Sequence, residues 1–240
     1  MRASFFLLAS ALSSSSSALT RRILLARHGE TNFNAEGRIQ GTLDSSFLNL
    51  NGVTQAGELG KYLSRAEPET IGRVWVSPMT RARQTLSIAK AVMEGAGCVV
   101  PEGTVHDDLR EIELFEWQGR LKDEIAASEP EVWKAWKADP VGFRMPNDRA
   151  PLQELWARAC SSWDVILAEK DVSGTTLVVC HGALGRCLIG AALGMDVSMF
   201  RDSAFMLENC ALVEIVFEDG VGVKWRRVLP EPTEFSPPLA

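Results

Sequence analysis

Two short apolar runs in this 240-residue chain end in the same way. Ile23–Ala26 leads straight into Arg27–His28–Gly29, and Leu177–Cys180 leads into His181–Gly182. An unbroken apolar run closed by a polar corner reads as a strand buried on both faces, which a chain achieves by covering a sheet with helices on each side. The intervening pattern supplies the helices. Asn49–Asn51–Gly52 reads as a turn, with Thr54 capping a helix that runs to about Arg65. Arg73–Val76 reads as a second strand, broken by Ser77–Pro78, with a helix from Met79 to about Met93 after it. Val99–Val100 is a candidate third strand, and Leu184–Leu193 a further helix. Ala211–Phe217 and Val221–Val228 straddle Asp219–Gly220 and read as a hairpin. Strands alternating with helices give an α/β class. Ligands of open α/β sheets bind at the carboxyl edge of the strands, where both His-Gly corners fall.

The pattern from Leu121 to Lys170 is helical, with Leu152, Leu155, Trp156, Ala159, Trp163, Ile166 and Leu167 at helical spacing. Five of the seven tryptophans (Trp117, Trp133, Trp136, Trp156, Trp163) lie in or just before it, which favours a packed helical cap over an aromatic ligand cage. The cap is expected at about 117–150 within a domain spanning 23–229. Residues 230–240 hold four prolines and read as an irregular tail. Residues 1–22 carry Arg2, a short apolar stretch, five consecutive serines and Arg21–Arg22, with no acidic residue before Glu30. That composition describes a targeting segment, plastid import being the first reading and the secretory pathway the alternative.

Lys and Arg number 25 against 31 Asp and Glu, a formal charge of −6, so bulk electrostatics argue against a nucleic-acid partner. No apolar run is long enough to span a membrane. Five cysteines without a CxxC pair give neither a disulfide framework nor a structural zinc site. An anion would have to be held by a local basic pocket. Arg27 offers a planar fork for phosphate oxygens, Arg81 a second cation near a helix start, and His28 and His181 two imidazoles at strand ends. A histidine that accepts a phosphoryl group must be neutral at one ring nitrogen, and neighbouring arginines favour that state. The leaving alkoxide needs a proton. Glu111 is a candidate, with Glu113 and Glu116 as rivals. His106 reads as a loop residue.

The blocks LARHGETNFN, SPMTRARQT, DLREIELFEWQG and VVCHGA, in this order, resemble the histidine phosphatase superfamily, the phosphoglycerate mutase-like proteins, over about residues 22–228. The resemblance implies a three-layer sandwich with a mostly parallel central sheet and a small helical cap. It implies His28 as the phosphorylated nucleophile, Arg27 and Arg81 as phosphoryl holders, His181 as the second pocket histidine and Glu111 as the acid. Asn34, Gln40, Gly41 and Gly182 match substrate-contacting positions. No metal or other cofactor is implied. The middle segment is similar to a plant and algal branch of the family, the probable 2-carboxy-D-arabinitol-1-phosphatases of chloroplasts. The implied partner is a small phosphorylated metabolite, a sugar or sugar-acid phosphate such as 2-carboxy-D-arabinitol 1-phosphate, hydrolysed through a phosphohistidine. A phosphoglycerate mutase and a non-catalytic binding member of the same fold are the alternatives. Against the mutase, only 70 residues separate Glu111 from His181, and the paired-arginine block of mutases is lacking, with only Lys134, Lys137 and Arg144 near its place.

Overall fold

A computed structural model describes residues 20–66, 71–169 and 173–230. The expected targeting segment through residue 19, and the tail from residue 231, lie outside the described residues. The sheet is built from β1 (Thr20–Arg27), β2 (Ile71–Val76), β3 (Thr104–Val105), β4 (Thr175–Cys180), β5 (Leu212–Glu218) and β6 (Val221–Leu229). Their order across the sheet is β3-β2-β4-β1-β5-β6. The four strands from β3 to β1 are mutually parallel, and β5 and β6 are antiparallel additions. The β5–β6 turn places Asp219 and Gly220 at φ 50° and 83°, the backbone that a two-residue hairpin requires.

Helices cover both faces, as period-2 alternation along the buried strands demands. Ile23 and Leu25 of β1 point into one core and Leu24 and Ala26 into the other. The first core is closed by α6 (Pro151–Ala168) and α7 (Gly182–Ala192), through residues such as Leu155, Trp163, Leu184 and Leu188. The second is closed by α2 (Leu50–Ala66) and α3 (Thr80–Gly95), through Leu59, Leu63, Ala82 and Met93. The arrangement is an α/β three-layer sandwich. A short helix α1 (Asn32–Glu36) follows the first His-Gly corner. α4 (Lys122–Ser128) and α5 (Pro130–Ala138) sit between the sheet elements β3 and β4 in the chain. Trp117 is fully buried, with ring centroids 5.4 Å from Trp133 and 5.7 Å from Phe143, and its Nε1–H donates to Glu129. These aromatic rings therefore pack this region against itself, with Trp117 out of reach of a ligand.

Three expectations are corrected. Strand β1 begins at Thr20, so the folded region starts three residues before the expected 23. Arg22 is tied to the buried Glu214, and Arg21 donates to the carbonyls of Ile166 and Glu169. Thr54 is not a helix cap: α2 starts at Leu50, Asn49 Oδ1 accepts from the Gly52 N–H at 2.8 Å, and the Thr54 hydroxyl donates back to the Leu50 carbonyl. The third strand is Thr104–Val105, not Val99–Val100, because Val99 is 79% exposed and only Trp75 and Val76 offer a ladder, which pairs with residues 104 and 105.

Candidate active site

Register places the two corners side by side. Arg27 pairs with Cys180 across β1 and β4, and the His28 N–H continues that ladder to the Cys180 carbonyl at 2.9 Å. Ser77, just past β2, donates its N–H to Val179 O at 3.0 Å. Three parallel strands therefore end together, presenting His28, His181 and Ser77 at one carboxyl edge. The backbone around them is tightly packed. A Cβ on Gly52 would lie 2.0 Å from the Glu30 carbonyl oxygen, so α2 can approach the His28–Glu30 loop only with glycine there.

His28 is 2% exposed and His181 fully buried, with ring centroids 5.2 Å apart. His28 Nδ1 lies 2.7 Å from the Gly29 carbonyl oxygen. A carbonyl oxygen can only accept, so Nδ1 carries the proton and Nε2 keeps its lone pair. His181 Nε2 lies 2.7 Å from Ser77 Oγ, while its Nδ1 is buried without a hydrogen-bond partner. Arg81 is fully buried and donates to the carbonyls of Leu43 at 2.9 Å and Gly41 at 2.7 Å, which leaves its Nε unpartnered. Arg27 donates Nη1–H to Leu207 O at 2.7 Å, and its Nε is likewise buried and unpartnered. Gly182 makes room for that guanidinium, since a Cβ there would meet Arg27 Nε at 3.3 Å.

Glu111 arrives from the loop after β3 and caps α7. Its Oε2 accepts from Ala183 N, and its Oε1 from Leu184 N and Ile112 N, at 2.8–3.0 Å. A carboxylate at a helix N-terminus meets both unpaired N–H groups and the positive end of the dipole. Of its rivals, Glu116 is exposed and Glu113 half-buried. Asn34 and Gln40 are engaged more locally than expected. Asn34 Oδ1 accepts from Thr31 N at 3.2 Å in the cap of α1, and Gln40 Oε1 faces the hydroxyls of Thr31 and Ser46. Gly41 contributes its carbonyl to Arg81 at φ 53°. His106 stands apart, edge-on to Trp75 at 5.6 Å.

Three supporting residues escaped the sequence reading. In the sequence, Ser77 marks only a strand break. Asn209 donates Nδ2–H to the His28 carbonyl at 3.1 Å and to Asn34 Oδ1 at 3.2 Å. Arg158 of α6 donates to the carbonyls of Asp108, Arg110 and Glu111, fixing the loop that carries the carboxylate. The one sequence signal for Arg158 is a charged residue adjoining the apolar stripe of α6, between Leu155 and Ala159.

Burial, then Arg81 and Arg27, push the His28 imidazole well below its ordinary 6.5, and burial followed by Arg81 does the same to His181. Burial pulls Arg81 down to about 10, opposed by Glu111, so it stays charged at neutral pH. Two consequences follow for pH. Both imidazoles, followed by NMR from pH 8 to 5.5, stay neutral through 6.5, where an ordinary histidine is half protonated; a midpoint at or above 6.5 for either would contradict the geometry. The unfolded chain takes up protons at these histidines near pH 6.5 while the folded chain does not. Their contribution to stability is therefore complete above 6.5 and declines as pH falls below it.

The sequence profile of the histidine phosphatase superfamily (branch 1) matches residues 23–227. The chain belongs to that superfamily. Among curated histidine phosphatases, it is 35% identical over 198 residues to a protein of Arabidopsis thaliana named probable 2-carboxy-D-arabinitol-1-phosphatase, covering 82% of this chain and 38% of that one. It is 33% identical over 190 residues to the 2-carboxy-D-arabinitol-1-phosphatase of Triticum aestivum, covering 79% and 36%. The chain thus spans less than two fifths of the length of these two relatives. Among solved structures, a mycobacterial glucosyl-3-phosphoglycerate phosphatase complexed with VO3 superposes with a TM-score of 0.67 at 26% identity, covering 87% of this chain and 97% of that one.

Proposed function

We propose that this histidine phosphatase superfamily member hydrolyses a small phosphomonoester through a phosphohistidine on His28. One observation carries the reading: His28, its Nε2 lone pair left free by the Nδ1 contact to Gly29, lies 5.2 Å from His181 with Arg81 and Arg27 close enough to act on its charge, and Arg27 Nε, Arg81 Nε and His181 Nδ1 are buried without partners. Donors preset in a site of low dielectric suit the equatorial oxygens of a phosphoryl group in flight. In the first step Nε2 attacks phosphorus, the P–O ester bond breaks, and Glu111, which must enter this step protonated, gives the leaving alkoxide its proton and becomes the carboxylate that the N–H groups of α7 hold. In the second, water attacks the phosphohistidine, Glu111 takes a proton from it, the P–N bond breaks, and inorganic phosphate leaves. Positive charge comes from the two arginines, and neutral His181 adds a hydrogen-bond donor, so the scheme needs no metal.

The substrate class is a sugar or sugar-acid phosphate. The similarity to the two plant relatives supports 2-carboxy-D-arabinitol 1-phosphate as the first compound to try. A mutase must hold the dephosphorylated product through many cations until the phosphoryl group returns. Here the segment between Glu111 and α6 is dominated by Trp117, Trp133, Trp136 and Phe143, and its arginines Arg120, Arg144 and Arg149 are paired with Glu129, Asp148 and Glu154. Hydrolysis is therefore the expected outcome. Phosphate release from 2-carboxy-D-arabinitol 1-phosphate and other sugar-acid phosphates, assayed in EDTA, should exceed conversion of 3- to 2-phosphoglycerate. Faster isomerisation, or activity lost to EDTA and restored by Mg²⁺ or Zn²⁺, would overturn the scheme.

The serine-rich, acid-free stretch before Thr20 supports plastid import. Because Arg21 and Arg22 are bonded within the fold, removal would have to stop before Thr20. A fluorescent protein fused behind residues 1–19 should enter plastids, and fluorescence in the cytosol or the medium would reject the assignment.

A further inference from the structure

We infer that Ser77 is a positioning residue whose hydroxyl sets the tautomer of His181, so that Nδ1–H is the hydrogen-bond donor His181 offers to an anionic phosphoryl oxygen. The inference rests on the proposed function and extends it to a residue outside the five that carry the chemistry. Ser77 is fully buried, and its Oγ lies 2.7 Å from His181 Nε2. The contact is imposed by the sheet, because the Ser77 N–H continues the β2–β4 ladder to Val179, two residues before His181.

Proton accounting decides the direction. A serine hydroxyl has one hydrogen to give and two lone pairs to offer. The Met79 N–H already takes one lone pair, at 3.3 Å. If His181 Nε2–H donated into the other, the buried hydroxyl hydrogen would lose its acceptor. His181 Nδ1, which has no partner within the protein, would then be a bare lone pair, which repels phosphoryl oxygen. If the hydroxyl donates to Nε2, both of those groups are satisfied and the hydrogen sits on Nδ1, the ring nitrogen that has no partner within the protein and can give it to a phosphoryl oxygen. The choice matters because His181 is held neutral by burial and by Arg81, so it has one N–H to place rather than two. The same logic, run by a carbonyl, gives His28 the opposite task. Gly29 O accepts from Nδ1–H and frees Nε2 for attack. Two neighbouring imidazoles are thereby set as lone pair and donor by two different oxygen atoms.

The first measurement is the pattern of two-bond nitrogen–proton couplings of ¹⁵N-histidine in the wild-type protein, free and with inorganic phosphate. Nδ1–H is expected for His181, and Nε2–H would overturn the inference without any variant being made. The second is a double-mutant cycle. Ser77→Ala should lower kcat/KM tenfold to a hundredfold, about the cost of losing an orienting partner of a functional histidine. In a His181→Ala background the same change should cost less than twofold. An equal loss in both backgrounds would show that Ser77 acts through the start of α3 and not through His181, and would overturn the inference. Ser77→Thr keeps the hydroxyl and should restore at least a third of the wild-type value. Formation of phosphohistidine on His28 is scored separately. If it fails to form, the proposed function falls; if it forms beside an Nε2–H His181, only the role of Ser77 falls.

Discussion

His28→Ala should abolish turnover, with kcat falling by about 10⁵-fold or more, as expected when the atom that forms the covalent intermediate is removed. The protein should still fold. The bonds that hold residue 28 in place are made by its backbone, N–H to Cys180 O and O to Asn209 and Cys210, and none of them needs the imidazole. A thermal melt with one cooperative transition separates loss of chemistry from loss of fold. Residual activity above about one percent of wild type would not fit a mechanism in which phosphorus bonds to this ring.

Arg81→Met is the second large effect. This guanidinium is fully buried, its two Nη groups hold the Gly41 and Leu43 carbonyls, and its Nε is unpartnered. Losing one preset donor at a developing anionic charge costs about a hundredfold to a thousandfold. Here the cation also adds to burial in holding His28 and His181 neutral, so kcat/KM should fall about a thousandfold, near 4 kcal/mol. Inhibition by inorganic phosphate should weaken in parallel. Arg81→Lys restores a charge but not the fork, since an ammonium cannot span two carbonyls and still present a donor to the ligand. It should recover no more than about a tenth of the lost activity. A fall of less than tenfold in Arg81→Met would remove Arg81 from the phosphoryl pocket.

The parts of the fold legible in the sequence were those set by local hydrophobicity. Both His-Gly corners were visible because Ile23–Ala26 of β1 and Leu177–Cys180 of β4 are buried on both faces and hold no charged residue. The Asp219–Gly220 hairpin was visible because its turn needs residues that tolerate positive φ. What could not be read depended on partners distant in the chain. Asn49 and Thr54 are equally good caps in isolation. Asn49 prevails because its amide also donates to Glu30 at 2.6 Å, fixing where α2 starts. The two-residue β3 is too short for any periodicity, and it exists only because β2 offers a free edge. In the site, the residue types needed for phosphoryl chemistry stood out, but their supports did not. Asn209 meets His28, Ser77 meets His181, and Arg158 meets the Glu111 loop only through strand register and helix packing.

The central claim is a covalent bond between phosphorus and His28 Nε2, and rapid-quench trapping tests it most directly. Protein mixed briefly with a ³²P-labelled sugar-acid phosphate and quenched in base should carry label that is stable to alkali and released by acid. Peptide mapping should place it on the fragment containing His28. Acid-stable label on a serine, label on His181, or turnover with no trapped phosphoenzyme at any quench time would contradict the account.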